Sequence, residues 1–261
     1  MDTLRRLERE LVGLDDISLD ATRLDTLESL LIQQFGSNFE AEFIQRFRSK
    51  KNIVVHLLVN SRNQIKRINL VAKLFVTGYY KNEIKILRMC YEGGLQVPQI
   101  IGAKNGVILM DYIPGETLTE YVNKTFASNI IDILAKWYYK FHQITGMVKE
   151  DPRLRNFIFN QDTLFGLDFE EAHIGHWIID IAGVSASLLD TDPIYDKRKR
   201  ALAWRLLETY LGLCNLKRNP EIDMQFVDKI AETLEKTSYW RQDSSIKALA
   251  ERIRQDGIVV D

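Results

Sequence analysis

The sequence predicts an α+β chain of two lobes, a small strand-rich lobe followed by a larger helical one. Three observations carry this expectation. The β-branched run Ile53-Val54-Val55-His56-Leu57-Leu58-Val59 and the apolar run from Ile68 to Phe75 give the region from Glu42 to Phe75 the texture of a sheet. Ile113-Pro114-Gly115 then interrupts the chain. Beyond it, apolar residues recur at helical spacing, as in the stripe Ile130, Leu134, Trp137, Phe141 and Ile144. The expected divisions are a helical extension over 1–40, a sheet-bearing lobe over 41–112 and a helical lobe over 113–261.

Each element has its own signal. Leu4, Leu7 and Leu11, then Leu24, Leu27, Leu30 and Leu31, give residues 2–35 a helical reading. Ser61-Arg62-Asn63-Gln64 is a polar turn between the two apolar runs. A helix from about Tyr80 to Tyr91 is stopped by Gly93-Gly94. Short strands near Gln99–Ala103 and Val107–Asp111 flank the turn Lys104-Asn105-Gly106. An irregular section from Gly146 to Gly175 carries two brief apolar runs, Phe157-Ile158-Phe159 and Leu164-Phe165-Gly166-Leu167. Helical patterns near 178–189, 195–214 and 222–236, and a weaker one from Ser245 to Gln255, complete the chain.

Composition narrows the class of partner. With 46% hydrophobic and 27% charged residues in 261, the chain has apolar mass enough for a packed core, which excludes disorder as its main character. Its 35 basic and 36 acidic side chains nearly cancel, so no net positive field draws it to nucleic acid or to an anionic membrane. Two cysteines, Cys90 and Cys214, are too few for a disulfide framework and point to a reducing compartment. The N-terminus is charged from Arg5 onward, and no apolar run reaches the ~18 residues of a membrane helix. A cytoplasmic protein is the expectation.

The residues that carry chemistry fall in order along the chain. Lys73 ends an apolar strand, and Glu83 follows ten residues later on a helix. That pair can hold nucleotide phosphates, although a surface salt bridge would have the same spacing. Asp151 and Asn156 are five residues apart, and Asp168 follows the two apolar runs. Phosphoryl transfer needs a carboxylate to orient the attacking hydroxyl and accept its proton, the role open to Asp151. It also needs oxygen ligands for Mg²⁺, the role open to Asn156 and Asp168. Each is also an ordinary loop or turn residue; it is the ordered set that points to this chemistry.

With these segments together, the sequence resembles the protein-kinase-like fold in its aminoglycoside phosphotransferase and choline kinase branch. The likeness runs from about Asn52 to Asp192 and rests on Val71-Ala72-Lys73, Glu83, Val97-Pro98, Met110 through Leu118, Asp151 through Asn156, Leu167 through Glu170, and Asp180-Ile181-Ala182. It implies an ATP- and Mg²⁺-dependent transfer of phosphate to a hydroxyl of a small molecule. Lys73 and Glu83 would hold ATP phosphates, and Asp111 to Ile113, with Met110 beside them, would meet adenine. Asp151 would be the catalytic base and Asn156 and Asp168 the metal ligands, while Asp180 would brace the catalytic loop through backbone hydrogen bonds.

Three departures and one absence refine the resemblance. Lys149-Glu150 stands where the family reads His-Gly, and a lysine is not expected to organise the loop as the histidine does. The turn Ser49-Lys50-Lys51-Asn52 has no glycine to bring backbone amides close to phosphates. A nucleotide-binding pseudokinase is therefore the alternative reading. Glu170 replaces the Gly that follows Asp-Phe in protein kinases, and only twelve positions separate Asp168 from Asp180. Together with the lack of an Ala-Pro-Glu element, these features argue against a protein kinase and for a small-molecule kinase; an atypical protein kinase is the third reading.

The acceptor is open at this level. Asp190, Asp192, Asp196 and Glu208 would suit a polycation. Trp177, Trp204, Tyr239 and Trp240 would suit a choline-like cation, and Arg153 and Arg155 an anionic or sugar-phosphate acceptor. His142 reads as a packing residue, and His173 and His176 match no zinc pattern. Oligomeric state is not legible.

Overall fold

The computed structural model describes residues 22–49, 51–61, 67–76, 78 and 80–260. The expected helical stretch before Thr22, most of the Ser61–Gln64 turn and Lys50 lie outside the described residues. The chain divides into two compact units, Met1–Tyr91 with Pro98–Ile113, and Glu92–Val97 with Pro114–Asp261. A small antiparallel sheet in one unit and helices in the other give the bilobal α+β fold that the sequence predicts.

The first unit is built on a five-stranded antiparallel sheet in the order β1-β2-β3-β5-β4. Its strands are β1 (Phe39–Phe47), β2 (Ile53–Ser61), β3 (Arg67–Leu74), β4 (Ile100–Lys104) and β5 (Val107–Asp111). Alternation of side chains sends Leu70, Ala72 and Leu74 of β3 to one face, where they meet Leu27, Leu30 and Leu31 of helix α1 (Thr22–Phe35). The leucines of α1 recur at i, i+3 and i+4, which is why that helix lies flat on the sheet. Arg23 fastens it by donating to the carbonyls of Phe75 and Asn105. On the other face, Val71, Ile108 and Met110 pack with Phe75 and with Tyr80 and Ile84 of α2 (Tyr80–Glu92). Lys73 belongs to this second face, because its cross-strand partners are Val54 and Ile108.

The second unit is mostly helical: α3 (Leu118–Thr125), α4 (Ser128–Thr145), α5 (Ile178–Leu189), α6 (Lys197–Leu213), α7 (Pro220–Arg241) and α8 (Ser244–Asp256). A three-stranded sheet, β6 (Glu116–Thr117), β7 (Phe157–Asn160) and β8 (Thr163–Gly166), interrupts the helices and realises the two brief apolar runs seen in the sequence. Thr117 opens α3 with a capping box, its hydroxyl accepting from the Glu120 amide while the Glu120 carboxylate accepts from the Thr117 amide. The apolar stripe of α4 is buried except at half-buried Ile144, and its Trp137 and Phe141 stack with Phe169, while Trp137 meets Phe157 edge-on. That aromatic cluster ties the strand β7 to the segment that carries Asp168. Both cysteines are free thiols.

Candidate phosphate and catalytic sites

Each unit carries one group of the residues singled out in the sequence. In the first, Lys73 Nζ donates to Glu83 Oε2 at 2.6 Å, with the two side chains only 7% and 2% exposed. This is a buried pair, unlike the surface salt bridge that spacing alone allowed. The Phe75 ring lies 4.9 Å from the ammonium. Such a pair is costly to desolvate, and removing one partner leaves an uncompensated buried charge.

Met110 and Asp111 end β5 of the same sheet, and Ile113 lies just beyond it. Met110 is buried against Phe75 and Ile108. The amides of Asp111 and Tyr112 are already engaged, donating to the carbonyls of Gln99 at 3.0 Å and Asn69 at 3.4 Å. Burial holds the Asp111 carboxyl above its ordinary range, against the lowering effect of a hydrogen bond from the Gln99 backbone. Tyr112 stacks on His56 with ring centroids 4.0 Å apart.

In the second unit, Asp151, Asn156 and Asp168 are held by a single bracing system. Asn156 Nδ2 donates to Asp151 Oδ2 at 2.8 Å, which fixes the carboxylate and orients an amide oxygen that could hold a metal. Asn156 sits on the 3₁₀ turn Leu154–Asn156, and its carbonyl accepts from the Leu167 amide at 2.8 Å, one residue before Asp168. Arg153 Nε lies 3.3 Å from Asp151 Oδ1.

The brace comes from one face of α5. Fully buried Asp180 accepts from the amides of Lys149 at 2.7 Å and Glu150 at 3.0 Å. One turn on, Gly183 lets Pro152 approach so closely that an added Cβ would meet its ring at 2.3 Å. A further turn on, Ser187 Oγ accepts from the Leu154 amide at 3.2 Å. Positions 180, 183 and 187 share a face of the helix, so three consecutive turns grip the loop before, at and after Asp151. His142 donates from Nε2 to Asp180 at 2.9 Å, and its Nδ1 lies 2.6 Å from the Tyr210 hydroxyl. The histidine read as a packing residue is thus also part of the support behind Asp180.

Lys149, which stands where the family has histidine, organises the loop in its own way. It is completely buried, and its ammonium donates to the carbonyls of Asp168 at 2.7 Å and Asp151 at 3.1 Å. The rings of Phe169 and Phe157 flank it at 5.4 Å and 5.9 Å. A lysine here reaches across from one loop to the other and organises both. The bonds of this residue had no signal in the sequence beyond a departure from pattern.

The other departure also has a physical meaning. Glu150 adopts φ +64°, and Asp168 adopts φ +63°. Glycine takes that left-handed conformation freely, whereas a side chain is strained there by roughly 1–2 kcal/mol. The loop keeps its shape with Glu150 in place because Asp180 fixes the flanking amides. His173 meets Glu150 at 4.0 Å, and a two-way backbone bridge between Val148 and His173 closes the loop from behind.

A cavity of about 140 Å³ opens beside Asp151 within this unit. Its floor is Asp151, Arg153, Ser187 and Asp190, and its wall is a stripe of α7 that includes Lys229, Lys236 and Trp240. Asp190 and Trp240, two candidates for acceptor contacts, therefore reach it. Three of the other candidates are engaged elsewhere: Asp196 caps α6, Glu208 pairs with Arg218, and Trp204 donates to the Ile258 carbonyl.

No family model matches the chain. Over 142 residues, 52% of its length, the chain is 28% identical to KEOPS complex subunit Bud32 of Pyrococcus abyssi (strain GE5 / Orsay), and the match spans 62% of that protein. Solved structures agree over nearly the whole chain. A choline/ethanolamine kinase family protein from Mesorhizobium loti superposes with TM-score 0.60 at 12% identity, covering 88% of this chain and 94% of that one. Amicoumacin kinase hAmiN, in complex with AMP-PNP, Ca²⁺ and Ami, gives 0.60 at 14% identity, covering 90% and 94%. The gentamicin complex of APH(2")-IIa gives 0.58 at 15% identity, covering 93% and 99%. The chain therefore has a protein-kinase-like fold, in the form found in choline/ethanolamine kinases and aminoglycoside phosphotransferases.

Among the described residues, no helix is long and apolar enough to cross a membrane.

Proposed function

We propose that this protein is an ATP-dependent phosphotransferase that moves the γ-phosphate to a hydroxyl of a small molecule, with Mg²⁺. The observation that carries the reading is the 2.8 Å bond from Asn156 to Asp151. It leaves a carboxylate oxygen for an incoming hydroxyl and an amide oxygen for a metal. The fold, shared with small-molecule kinases, and the buried Lys73–Glu83 pair support it.

In this reading Lys73, locked by Glu83, presents its ammonium to nucleotide phosphates. The adenine would be met by the Asp111 carbonyl and by Ile113 rather than by the Asp111 and Tyr112 amides, which are already bonded. The Asn156 amide oxygen and the Asp168 carboxylate are hard oxygen donors and fit Mg²⁺. When bound, the ion supplies neutralisation of phosphate charge. Asp151 orients the acceptor hydroxyl and takes its proton, while Arg153 beside it places positive charge where phosphoryl oxygens gather negative charge. Lys149 and Asp180 do no chemistry; they hold Asp151 and Asp168 in place.

Asp151→Asn tests the assignment. Transfer to a hydroxyl acceptor is expected to be lost while nucleotide binding survives. Transfer at the wild-type rate would remove Asp151 from the mechanism. The same assay without acceptor separates the atypical protein kinase reading: label in the protein would favour it.

A further inference from the structure

The face of the first unit's sheet that carries Lys73 also carries a stack of rings. Residues on one face recur at every second position of a strand, roughly 6.6 Å apart. Asn69, Val71 and Lys73 of β3 therefore share a face. Val71 pairs with His56 of β2 on one side and with Met110 of β5 on the other, so the row His56-Val71-Met110 crosses that face one repeat from Lys73. Val55 and Leu57, which flank His56, pack instead on the side of α1. His56 is only 6% exposed, and its Nε2 lies 2.8 Å from Asn69 Oδ1, so the imidazole is a fixed flat surface.

Tyr112 covers that surface. Its ring lies at 5° to the imidazole with centroids 4.0 Å apart, and Phe47 lies nearly parallel to both, 6.3 Å from His56 and 6.4 Å from Tyr112. A stack at 4.0 Å has no space for a third ring between its members. The hold on Tyr112 is slight. It follows Asp111, the last residue of β5; its amide donates to the Asn69 carbonyl at 3.4 Å, and its hydroxyl makes no hydrogen bond among the described residues. His56 Nδ1 is buried in this arrangement with no hydrogen-bond partner among the described residues, a cost that opening to solvent relieves.

The direction of the strands says what belongs on the imidazole. Going from Lys73 to Val71 to Asn69 along β3 runs from Ile108 to Met110 to Tyr112 alongside it. A nucleotide with its phosphates on Lys73 and its base toward Asp111 and Ile113 therefore brings the base over His56 and Val71. We propose that Tyr112 is a gate on the nucleobase position: its ring lies on His56 and must swing off before a purine stacks there, so the base meets a closed site and the phosphates do not. The inference rests on the phosphotransferase reading for the phosphates on Lys73 and adds a control of entry to that same site.

Calorimetric titration of wild type, Tyr112→Phe and Tyr112→Ala tests the gate, with adenosine, Mg-ATP and Mg-tripolyphosphate as probes. Removing the ring is expected to tighten adenosine and Mg-ATP by about three- to tenfold, the factor by which such a stack favours the closed state. Mg-tripolyphosphate, which has no base, is expected to bind both proteins alike. Tyr112→Phe keeps the ring and loses a hydroxyl that bonds nothing, so it is expected to match wild type within about twofold. Tyr112→Leu fills space without a flat ring; it is expected to act like Tyr112→Ala and replaces it if the alanine variant unfolds. Adding His56→Leu to either open variant removes the stacking surface and is expected to cancel the gain. Adenosine bound equally or less tightly once the ring is gone would overturn the proposal. So would adenosine bound by no variant, or a tightening shared by Mg-tripolyphosphate. Adenosine carries no phosphate, so failure of Mg-tripolyphosphate to bind any of the proteins would sink the phosphotransferase reading while the adenosine titration still decides the gate.

Discussion

The ammonium of Lys149 lies 2.7 Å from the carbonyl oxygen of Asp168, nineteen residues away, while it also donates to the carbonyl of Asp151. One buried side chain thus couples the loop of Asp151 to the loop of Asp168. Lys149→Met is expected to fold less stably, by about 1–3 kcal/mol, because two buried carbonyls lose a donor. It is also expected to lower kcat far more than it raises KM for ATP, since the loops misalign while Lys73 still holds phosphate. Lys149→His should recover part of kcat. Steady-state kinetics of the three proteins check this, and an unchanged kcat in the methionine variant would make Lys149 a packing residue only.

Glu150 holds a backbone conformation that glycine adopts without strain. Glu150→Gly is therefore expected to leave stability unchanged or raise it by up to about 1 kcal/mol, where glycine normally costs a comparable amount. Denaturant unfolding of the variant measures it. A loss above about 1 kcal/mol would mean that the Glu150 side chain contributes more than its strain.

The Lys73–Glu83 pair sits where its charges are only slightly hydrated. Removing one partner, as in Glu83→Leu, is expected to cost about 3–5 kcal/mol, whereas Lys73→Met with Glu83→Leu should regain most of it. The double variant is expected to fold and to bind no nucleotide. Thermal unfolding and ATP titration separate the two effects.

Burial raises the Asp190 carboxyl above its ordinary range, and Arg241 offsets this only in part. The native state therefore keeps the proton to higher pH than the unfolded chain, whose carboxyl titrates near ~3.9. Stability falls as pH rises from the unfolded value through the raised native one, and the cost is full above it. Asp190→Asn is expected to gain stability relative to wild type as pH rises above about 4. A constant difference across that range would show that Arg241 neutralises the burial cost.

Much of this was legible in the sequence, for physical reasons. Lys73 and Glu83, and Asp151 and Asn156, stand out by residue type and order, and the structure brings each pair into contact. The β-branched runs of β2 and β3 and the stripe of α4 announce their elements through period and composition. What was not legible depends on tertiary approach. Lys149 stands in the sequence only as a departure, because nothing local tells that its ammonium reaches two carbonyls in different loops. The grip of Asp180, Gly183 and Ser187 on the loop is a helical face, visible only once the loop is known to lie against it.

Everything proposed for the catalytic chemistry requires that the chain hold a metal-bound nucleotide with Asp168 as a ligand. Thermal unfolding with and without Mg-ATP, repeated with EDTA and with Asp168→Asn, puts that requirement to the test. A ligand at ~100 times its Kd stabilises the native state by roughly 2.7 kcal/mol, a shift easily read in the midpoint. Wild type is expected to shift with Mg-ATP, and the shift is expected to disappear with EDTA and in Asp168→Asn. No shift at millimolar Mg-ATP, or an equal shift in Asp168→Asn, would show that Asp168 holds no metal-bound nucleotide.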